Sequence, residues 1–436
     1  MNLGDFFSPA ELAAWSDQRL TCHLIYFTAA GIKLLFLAVV AFSSVREAIA
    51  RWAVATADWL YYRRTLTFAG KYIPPFRIII RALEKLGSGG KSADLDKTQW
   101  LTDILYPVYL ILFWAFLILP LNFFSDYLYE HELGLSTSTL ARWWSDWVIS
   151  LSMTLSFAAL LGLGLFGLAR RLRRTWWLWL WGAVIGTLLL WSMLTPYRAR
   201  IYNQFTELPE GPLKASIQQV MEKAGFALER VEVVDTSRRS RRANAFIMGE
   251  GPTKRVVLSD NLIKDFHPRE IQFAIAHEAG HQKEEHPFRT WLTTSLAALL
   301  FLLICRLILW SAPRRFNLSP HADPRTLPMI LLAAQILFML NNPLSAYLDR
   351  QEETKADQQA LQLTEDPTAY CSLIVRLTRL NQQDPDPPAW ARWYFRHHPT
   401  AKERLEMGFD WAKKKGTGIN KYEIPLRAPD DPTEGS

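Results

Sequence analysis

Six blocks of apolar residues, each close to twenty long and bounded by charge, punctuate this chain at 24–45, 101–124, 147–168, 176–194, 292–310 and 327–348. A helix rises about 1.5 Å per residue, so each block predicts a helix able to cross a hydrocarbon layer of about 30 Å. Lys33, Arg306, Asn341 and Asn342 interrupt three of the blocks. Polar groups at such depth snorkel toward the surface or face protein or a wet interior instead of lipid. A weaker stretch, 66–83, carries Lys71, Pro74, Pro75, Arg77 and Arg81 and reads either as a seventh crossing or as a surface helix.

Between the fourth and fifth blocks the pattern changes. Leu213, Ile217, Val220, Met221 and Phe226 recur at near-helical spacing, and 230–234, 244–248 and 255–259 read as short strands. Asp260 is expected to cap the segment leading to Leu262 and Ile263, and Pro268 to open the next helix, where a missing N–H costs nothing. The tail beyond Asp349 starts helical, passes a proline- and aspartate-rich linker at 382–388, and ends in a polar stretch, 425–436, that predicts disorder. The expected organisation is therefore 1–195, membrane helices; 196–290, a polar α+β segment; 291–348, two further membrane helices; 349–424, a helical return to the polar part; and 425–436, a tail. Asp5, Glu11 and Asp17 ahead of the first block favour a retained anchor over a cleaved leader.

Composition supports a membrane protein: 436 residues, 50% hydrophobic, 18 Trp and 24 Phe, gathered in blocks that one water-soluble core would not require. The net charge of +7 does not point to nucleic acid, because basic residues flank the apolar blocks; Arg170, Arg171, Arg173 and Arg174 form a turn suited to lipid headgroups. Cys22, Cys305 and Cys371 are too scattered for a disulfide framework or a cysteine metal cluster. Charge leaves the topology open. Six crossings put both the Arg46, Arg51, Arg63 and Arg64 cluster and the arginine turn inside but 196–289 outside; seven put 196–289 inside and send the arginine turn out.

The chemistry is concentrated in His277-Glu278-Ala279-Gly280-His281. Residues four apart share a helix face, so both imidazoles can bind one zinc ion while Glu278 reaches a water beside it. A catalytic zinc takes a third protein ligand and keeps one open position. Glu353 is the candidate, with Glu352 its neighbour and rival; the two side chains point about 100° apart on a helix and cannot exchange roles. Asp357, one turn beyond Glu353, is placed to accept a proton from a ligand imidazole and fix its tautomer. The sequence of Asn244, Ala245 and Phe246 could present a strand that aligns a substrate backbone beside the metal, or could simply pack.

Together with Arg350 to Asp357, Asn244-Ala245-Phe246 and His398-Pro399-Thr400-Ala401-Lys402-Glu403-Arg404-Leu405, the histidine motif resembles the integral-membrane CAAX prenyl protease family of zinc metalloproteases. Leu119 to Phe124 leading into Glu132-Leu133-Gly134-Leu135, and Phe205 to Gly211, look like further family segments. The resemblance implies an α-helical polytopic membrane protein in which a seven-helix ring surrounds an internal chamber, with a small α+β zinc metalloprotease domain closing its cytosolic end. It implies one zinc held by His277, His281 and Glu353, with Glu278 as the catalytic carboxylate. It also implies a substrate-lining edge strand at Asn244, Ala245 and Phe246, a transition-state contact from His398, and bracing of the acidic ligand region by Arg404. The stretch around Pro74 would be the missing span. Glu352, Thr354 and Lys355 stand where the family commonly has aromatic or small residues, which wets that flank of the helix.

The expected activity is zinc-dependent endopeptidase cleavage near the ends of membrane-associated proteins, lipid-modified ones among them, although no residue identifies a prenyl group. The partners are then a polypeptide substrate and membrane lipids. Turnover of damaged membrane proteins is a related alternative. A noncatalytic transporter or scaffold with Arg306, Asn341 and Asn342 lining a polar passage is a distinct one, but a structural metal would not need Glu278 beside the histidines.

Overall fold

In a computed structural model, residues 2–62, 82, 98–249, 254–318, 322–420 and 424 are described, without the side chains of 191–199, 201 and 202. The stretch 66–83 lies outside these residues apart from Ala82, and the tail 425–436 lies wholly outside them.

The apolar blocks become long helices: α1 (Pro9–Phe42), α3 (Gln99–Phe123), α4 (Leu140–Arg171), α5 (Trp176–Tyr202), α9 (His286–Phe316) and α10 (Leu327–Thr364). The shorter α2 (Val45–Tyr62), more polar and easily taken for a linker in sequence, packs on α1 and α3. Among the described residues five helices have the length and apolarity of a membrane crossing, at Pro9–Phe42, Gln99–Glu132, Leu140–Arg171, His286–Phe316 and Pro324–Thr364. Trp176–Leu190 is a shorter apolar stretch. Leu35, Phe116, Leu160, Leu300 and Leu340 are exposed on these helices, as expected of lipid-facing side chains.

The long helices pack in a closed circuit: α1 against α3, α3 against α4, α4 against α5, α5 against α9, α9 against α10, and α10 back against α1. At the end of the circuit where α10 begins, charge is buried in pairs. The Asp103 carboxylate, fully buried on α3, receives Arg170 of α4, and Arg325 binds Asp323 at 2.6 Å just before α10. Gly162 lets α3 and α4 meet there, since a Cβ at that position would collide with the Asp103 carbonyl oxygen and the Pro107 ring.

The polar segment forms β1 (Phe205–Glu207), α6 (Pro212–Lys223), β2 (Arg230–Val234), β3 (Ala245–Met248), β4 (Arg255–Ser259), α7 (Asp260–Asp265) and α8 (Pro268–Lys283). After α10 follow α11 (Pro367–Leu380), α12 (Ala389–Phe395) and α13 (Ala401–Lys415). The sheet order is β1-β2-β4-β3, antiparallel except for the parallel β2 and β4, and β3 is an edge strand. Period-two alternation splits the sheet: Val231, Val256 and Leu258 join the main core with α6, α8 and α11, while Val234, Val257 and Met248 form a smaller cluster on the other face. The expected cap needs correction. Ser259, not Asp260, caps α7 by accepting from Leu262 N–H; Asp260 is the first helical residue, and its carboxylate instead holds the turn at Thr236 and Ser237.

Phe6, Phe7 and Trp15 enter that same core, so the start of α1 is bound to the polar domain. Ser8 and Glu11 close a capping box at its first turn, and Arg379 of α11 binds Glu11 at 2.9 Å. The polar segment also holds the loop between α3 and α4 through a Ser136–Ser240 bridge, and the start of α4 through Arg239 on Asp146 at 2.9 Å.

Arg170→Met should cost about 3–5 kcal/mol by stranding the Asp103 carboxylate, and the double variant Asp103→Asn/Arg170→Met should recover much of that loss. Thermal unfolding in detergent measures both; equal melting temperatures for the single and double variants would contradict the pairing.

Candidate metal and proteolytic site

Helix α8 is fixed at its start by His267 as N-cap, Pro268 in the first turn and Glu270 closing a capping box. Glu270 is itself buried and is bound by Ser372 and by Arg376 of α11 at 2.9 Å. These contacts set the axial position of the helix. Its lateral position depends on Gly280: a Cβ there would lie 3.0 Å from the carbonyl oxygen and 3.1 Å from the Cα of Ala356 on α10. With no side chain at Gly280, and the small Ala356 opposite, the two helices come near enough for short side chains to converge.

His277, His281 and Glu353 do converge, with one ligand-type atom from each lying within 4.8 Å of the others. The two Nε2 atoms are 3.1 Å apart, and the Glu353 oxygens lie 3.2 Å from His277 Nε2 and 3.4 Å from His281 Nε2. Glu353 Oε2 is buried yet accepts no aligned hydrogen bond. Lone-pair donors that face one another around an unsatisfied carboxylate oxygen suit a cation better than a shared proton. Two imidazoles and one carboxylate are also a donor set that zinc takes in catalytic sites. Glu352, the rival, is not part of the cluster.

The far nitrogens of both imidazoles are engaged. His277 Nδ1 lies 2.9 Å from Asp357 Oδ1. Asp357 is fully buried and accepts from Arg404 at 2.8 and 2.6 Å and from the Tyr370 hydroxyl at 2.9 Å. Gly408 makes this possible, since a Cβ there would lie 2.7 Å from Cys371 Sγ and 2.9 Å from Tyr370 and would push α13, with Arg404, off α11. His281 Nδ1 lies 2.8 Å from Nδ1 of His286, a buried residue at the start of α9. With Nδ1–H donating outward in each ring, both Nε2 lone pairs face Glu353.

Burial opposes charge on His277, but the hydrogen bond to Asp357 and the adjacent Glu353 carboxylate outweigh it and lift its pKa to about 10. The pocket therefore favours added positive charge. Burial raises the Glu278 carboxyl above its ordinary range, against the opposing pull of His277 and His281.

The remaining expected residues border this cluster. His398 places Nδ1 2.8 Å from Glu353 Oε2 while most of its side chain stays exposed. Its neighbour His397 turns to Asp349 at 2.6 Å. Arg404 touches Asp357, so any bracing of Glu353 runs through that residue and His277. Asn244 and Ala245 lie at the start of the β3 edge, where Asn244 exchanges hydrogen bonds with Ser259. Strand β3 packs beside α8. Phe246 packs with the Val234, Met248 and Val257 cluster, which leaves its backbone as the part available along the edge. Sequence reasoning missed His286 and Tyr370. His286 falls five residues after His281, across the break between two helices, and only its proximity to the motif could have drawn notice. Tyr370 carries no signal without the packing of α11.

Asp357→Asn and His286→Ala should each weaken zinc binding about 10–100-fold, and His286→Asn should recover part of the loss. Competition against a chromogenic chelator checks this, and an unchanged affinity in His286→Ala would remove its role in orienting His281.

Comparison with known proteins places this chain among metalloproteases. The sequence profile of Peptidase family M48 matches residues 207–407, and that of the CAAX prenyl protease N-terminal region, five membrane helices, matches 26–199. An uncharacterized metalloprotease, YhfN of Bacillus subtilis, is 26% identical over 92% of this chain and 86% of its own. CAAX prenyl protease 1 of Saccharomyces cerevisiae is 28% identical over 68% of this chain and 69% of its own. The crystal structure of S. mikatae Ste24p shares the fold with a TM-score of 0.67 at 18% identity, covering 92% of this chain and 99% of that one. The two profiles between them take in both the membrane helices and the histidine motif, and the chain belongs to the integral-membrane CAAX prenyl protease family of M48 metalloproteases.

Proposed function

We propose that this multi-pass membrane metalloprotease is a zinc-dependent endopeptidase that cuts near the ends of membrane-associated proteins, lipid-modified ends among them. The observation that carries the reading is the convergence of His277 Nε2, His281 Nε2 and Glu353 beside the Glu278 carboxylate. His277, His281 and Glu353 would hold the ion. Bound there, zinc would lower the pKa of a coordinated water and polarise the scissile carbonyl.

The chain's own groups supply the rest. Glu278 engages no hydrogen-bond partner among the described residues, and burial raises its affinity for a proton. It is suited to take the proton from the attacking water and return it to the leaving amine. His398, exposed beside Glu353, is placed to donate to the oxyanion that develops on the substrate carbonyl. The edge of β3 not used by β4 offers backbone donors and acceptors to an extended polypeptide, which fixes the scissile bond in orientation. No covalent acyl-enzyme is needed.

We place the site on the cytosolic side, as the family resemblance implies. The segment that carries it holds Arg230, Arg238, Arg239, Arg241 and Arg242, basic residues of the kind that gather on that side. Turnover of damaged membrane proteins uses the same chemistry and differs only in substrate.

Glu278→Gln should lower kcat at least about a thousandfold with zinc content unchanged, and chelation should abolish cleavage until zinc is restored. Mass spectrometry of products from farnesylated and plain peptides reads both outcomes. Cleavage that survives Glu278→Gln would refute the assignment; equal cleavage of the two peptide classes would remove strict lipid recognition and keep the peptidase.

A further inference from the structure

Helix α9 carries a charge on the face it turns to lipid. Leu303, Arg306, Leu307 and Trp310 follow one another at helical spacings of three and four, so they share one stripe, and all four are exposed. The helix is one of those long and apolar enough to cross a membrane. Arg306 stands ten residues before its end at Phe316, about 15 Å along the axis at about 1.5 Å per residue. A guanidinium at such depth ordinarily turns to the bundle interior or snorkels toward the surface. Here it lies over the Trp177 ring of α5, 5.8 Å from the centroid.

The same arginine lines a groove of about 520 Å³ together with Arg173, from the turn between α4 and α5. Trp176, Leu303, Leu307 and Trp310 give the groove apolar walls, and no acidic residue is among the described residues that line it. Arg170, one turn back on α4, is answered by Asp103, but Arg173 and Arg306 pair with no carboxylate among the described residues. Two cations without a counter-charge repel each other, and low-dielectric walls strengthen their joint attraction for an anion. The groove is separate from the metal cluster. His286, the first residue of α9, meets His281 there, whereas Arg306 lies twenty residues further along, about 30 Å away at the same rise.

The surroundings decide which anion fits. Leu303, Leu307 and Trp310 are exposed on the outer side of α9, so the groove opens where acyl chains run, while Arg173 marks the bundle end where headgroups lie. A planar guanidinium binds phosphate oxygens through a two-pronged fork. The lining offers no carboxylate to the ammonium of a zwitterionic headgroup, so a headgroup with negative charge alone is the better match.

We propose that this groove binds an anionic phospholipid, with its phosphate between Arg173 and Arg306 and an acyl chain laid along Leu303 and Leu307. The arginine turn, at the end of the bundle away from the metal site, then holds lipid on that side. The site stands independently of the peptidase reading.

Native mass spectrometry of the full chain, stripped of lipid in detergent and titrated with phosphatidylglycerol or phosphatidylcholine of matched acyl chains, tests it. Phosphatidylglycerol should bind at least about fivefold more tightly, and Arg173→Gln and Arg306→Gln should each lower its affinity about fivefold. The double variant should bring it to the phosphatidylcholine level. Arg315→Gln, exposed on α9 outside the groove, should leave it unaltered. Phosphatidylglycerol should also raise the melting temperature of the wild type and not that of the double variant, with lipid-free melting temperatures alike; the single variants decide the question if the double variant fails to fold. Equal affinity of the wild type for the two lipids, a preference that survives in both single variants, or one lost as fully in Arg315→Gln overturns the proposal. Displacement of the lipid by equimolar inorganic phosphate would also overturn it and assign the two arginines to a free anion.

Discussion

The close approach of α8 and α10 is the constraint on which the rest of the structure depends. A glycine at 280 and an alanine at 356 let the two backbones come within van der Waals contact, and only then can two imidazoles from one helix and a carboxylate from the other share a point in space. The capping box at His267 and the Glu270 contacts to Ser372 and Arg376 set where α8 starts, which fixes which turn faces Ala356. Because α10 is continuous from its apolar part into the polar domain, the same helix that lines a cavity among α1, α3 and α4 also presents Glu353. The membrane bundle and the reactive cluster are therefore mechanically one piece.

Charge in this arrangement is layered. Around the cluster, Asp357 is buried with Arg404 and Tyr370, and its Oδ1 is shared between Arg404 and His277. The other imidazole has a neutral partner, His286. The two histidines are thus unequal: one is backed by an anion and the other by a ring nitrogen. At the opposite end of α10, Asp103 with Arg170 and Asp323 with Arg325 are satisfied in place and leave the helix circuit closed by paired charges. Lys33, between these two regions, faces the Trp114 ring and has no ion-pair partner among the described residues.

Much of this was legible in the sequence because hydropathy and short motifs are local. The six apolar blocks matched six long helices, and the His-Glu-x-x-His spacing gave the face of α8. A helical rotation of about 100° means that Glu352 and Glu353 cannot exchange roles, the family resemblance favours Glu353, and of the two it is Glu353 that lies with His277 and His281. Other parts depend on tertiary contacts that no local pattern carries. The stretch that becomes α2 shows only its arginines in sequence, and its role appears once α1 and α3 pack on the side bearing Ala53 and Ala57. The cap of α7 went to Ser259 because the Asp260 carboxylate had a better use in holding Ser237. Tyr370 and His286 gain meaning only when α11 and α9 are in place.

The central claim is that one divalent ion is held jointly by α8 and α10. X-ray absorption spectroscopy on the detergent-purified, zinc-loaded protein tests it most directly. Two imidazole nitrogens and carboxylate oxygen at about 2.0–2.2 Å, with one zinc per chain, are expected, and Glu353→Ala should remove the carboxylate contribution. A metal-free protein after loading, or a ligand shell unaltered in Glu353→Ala, would contradict it.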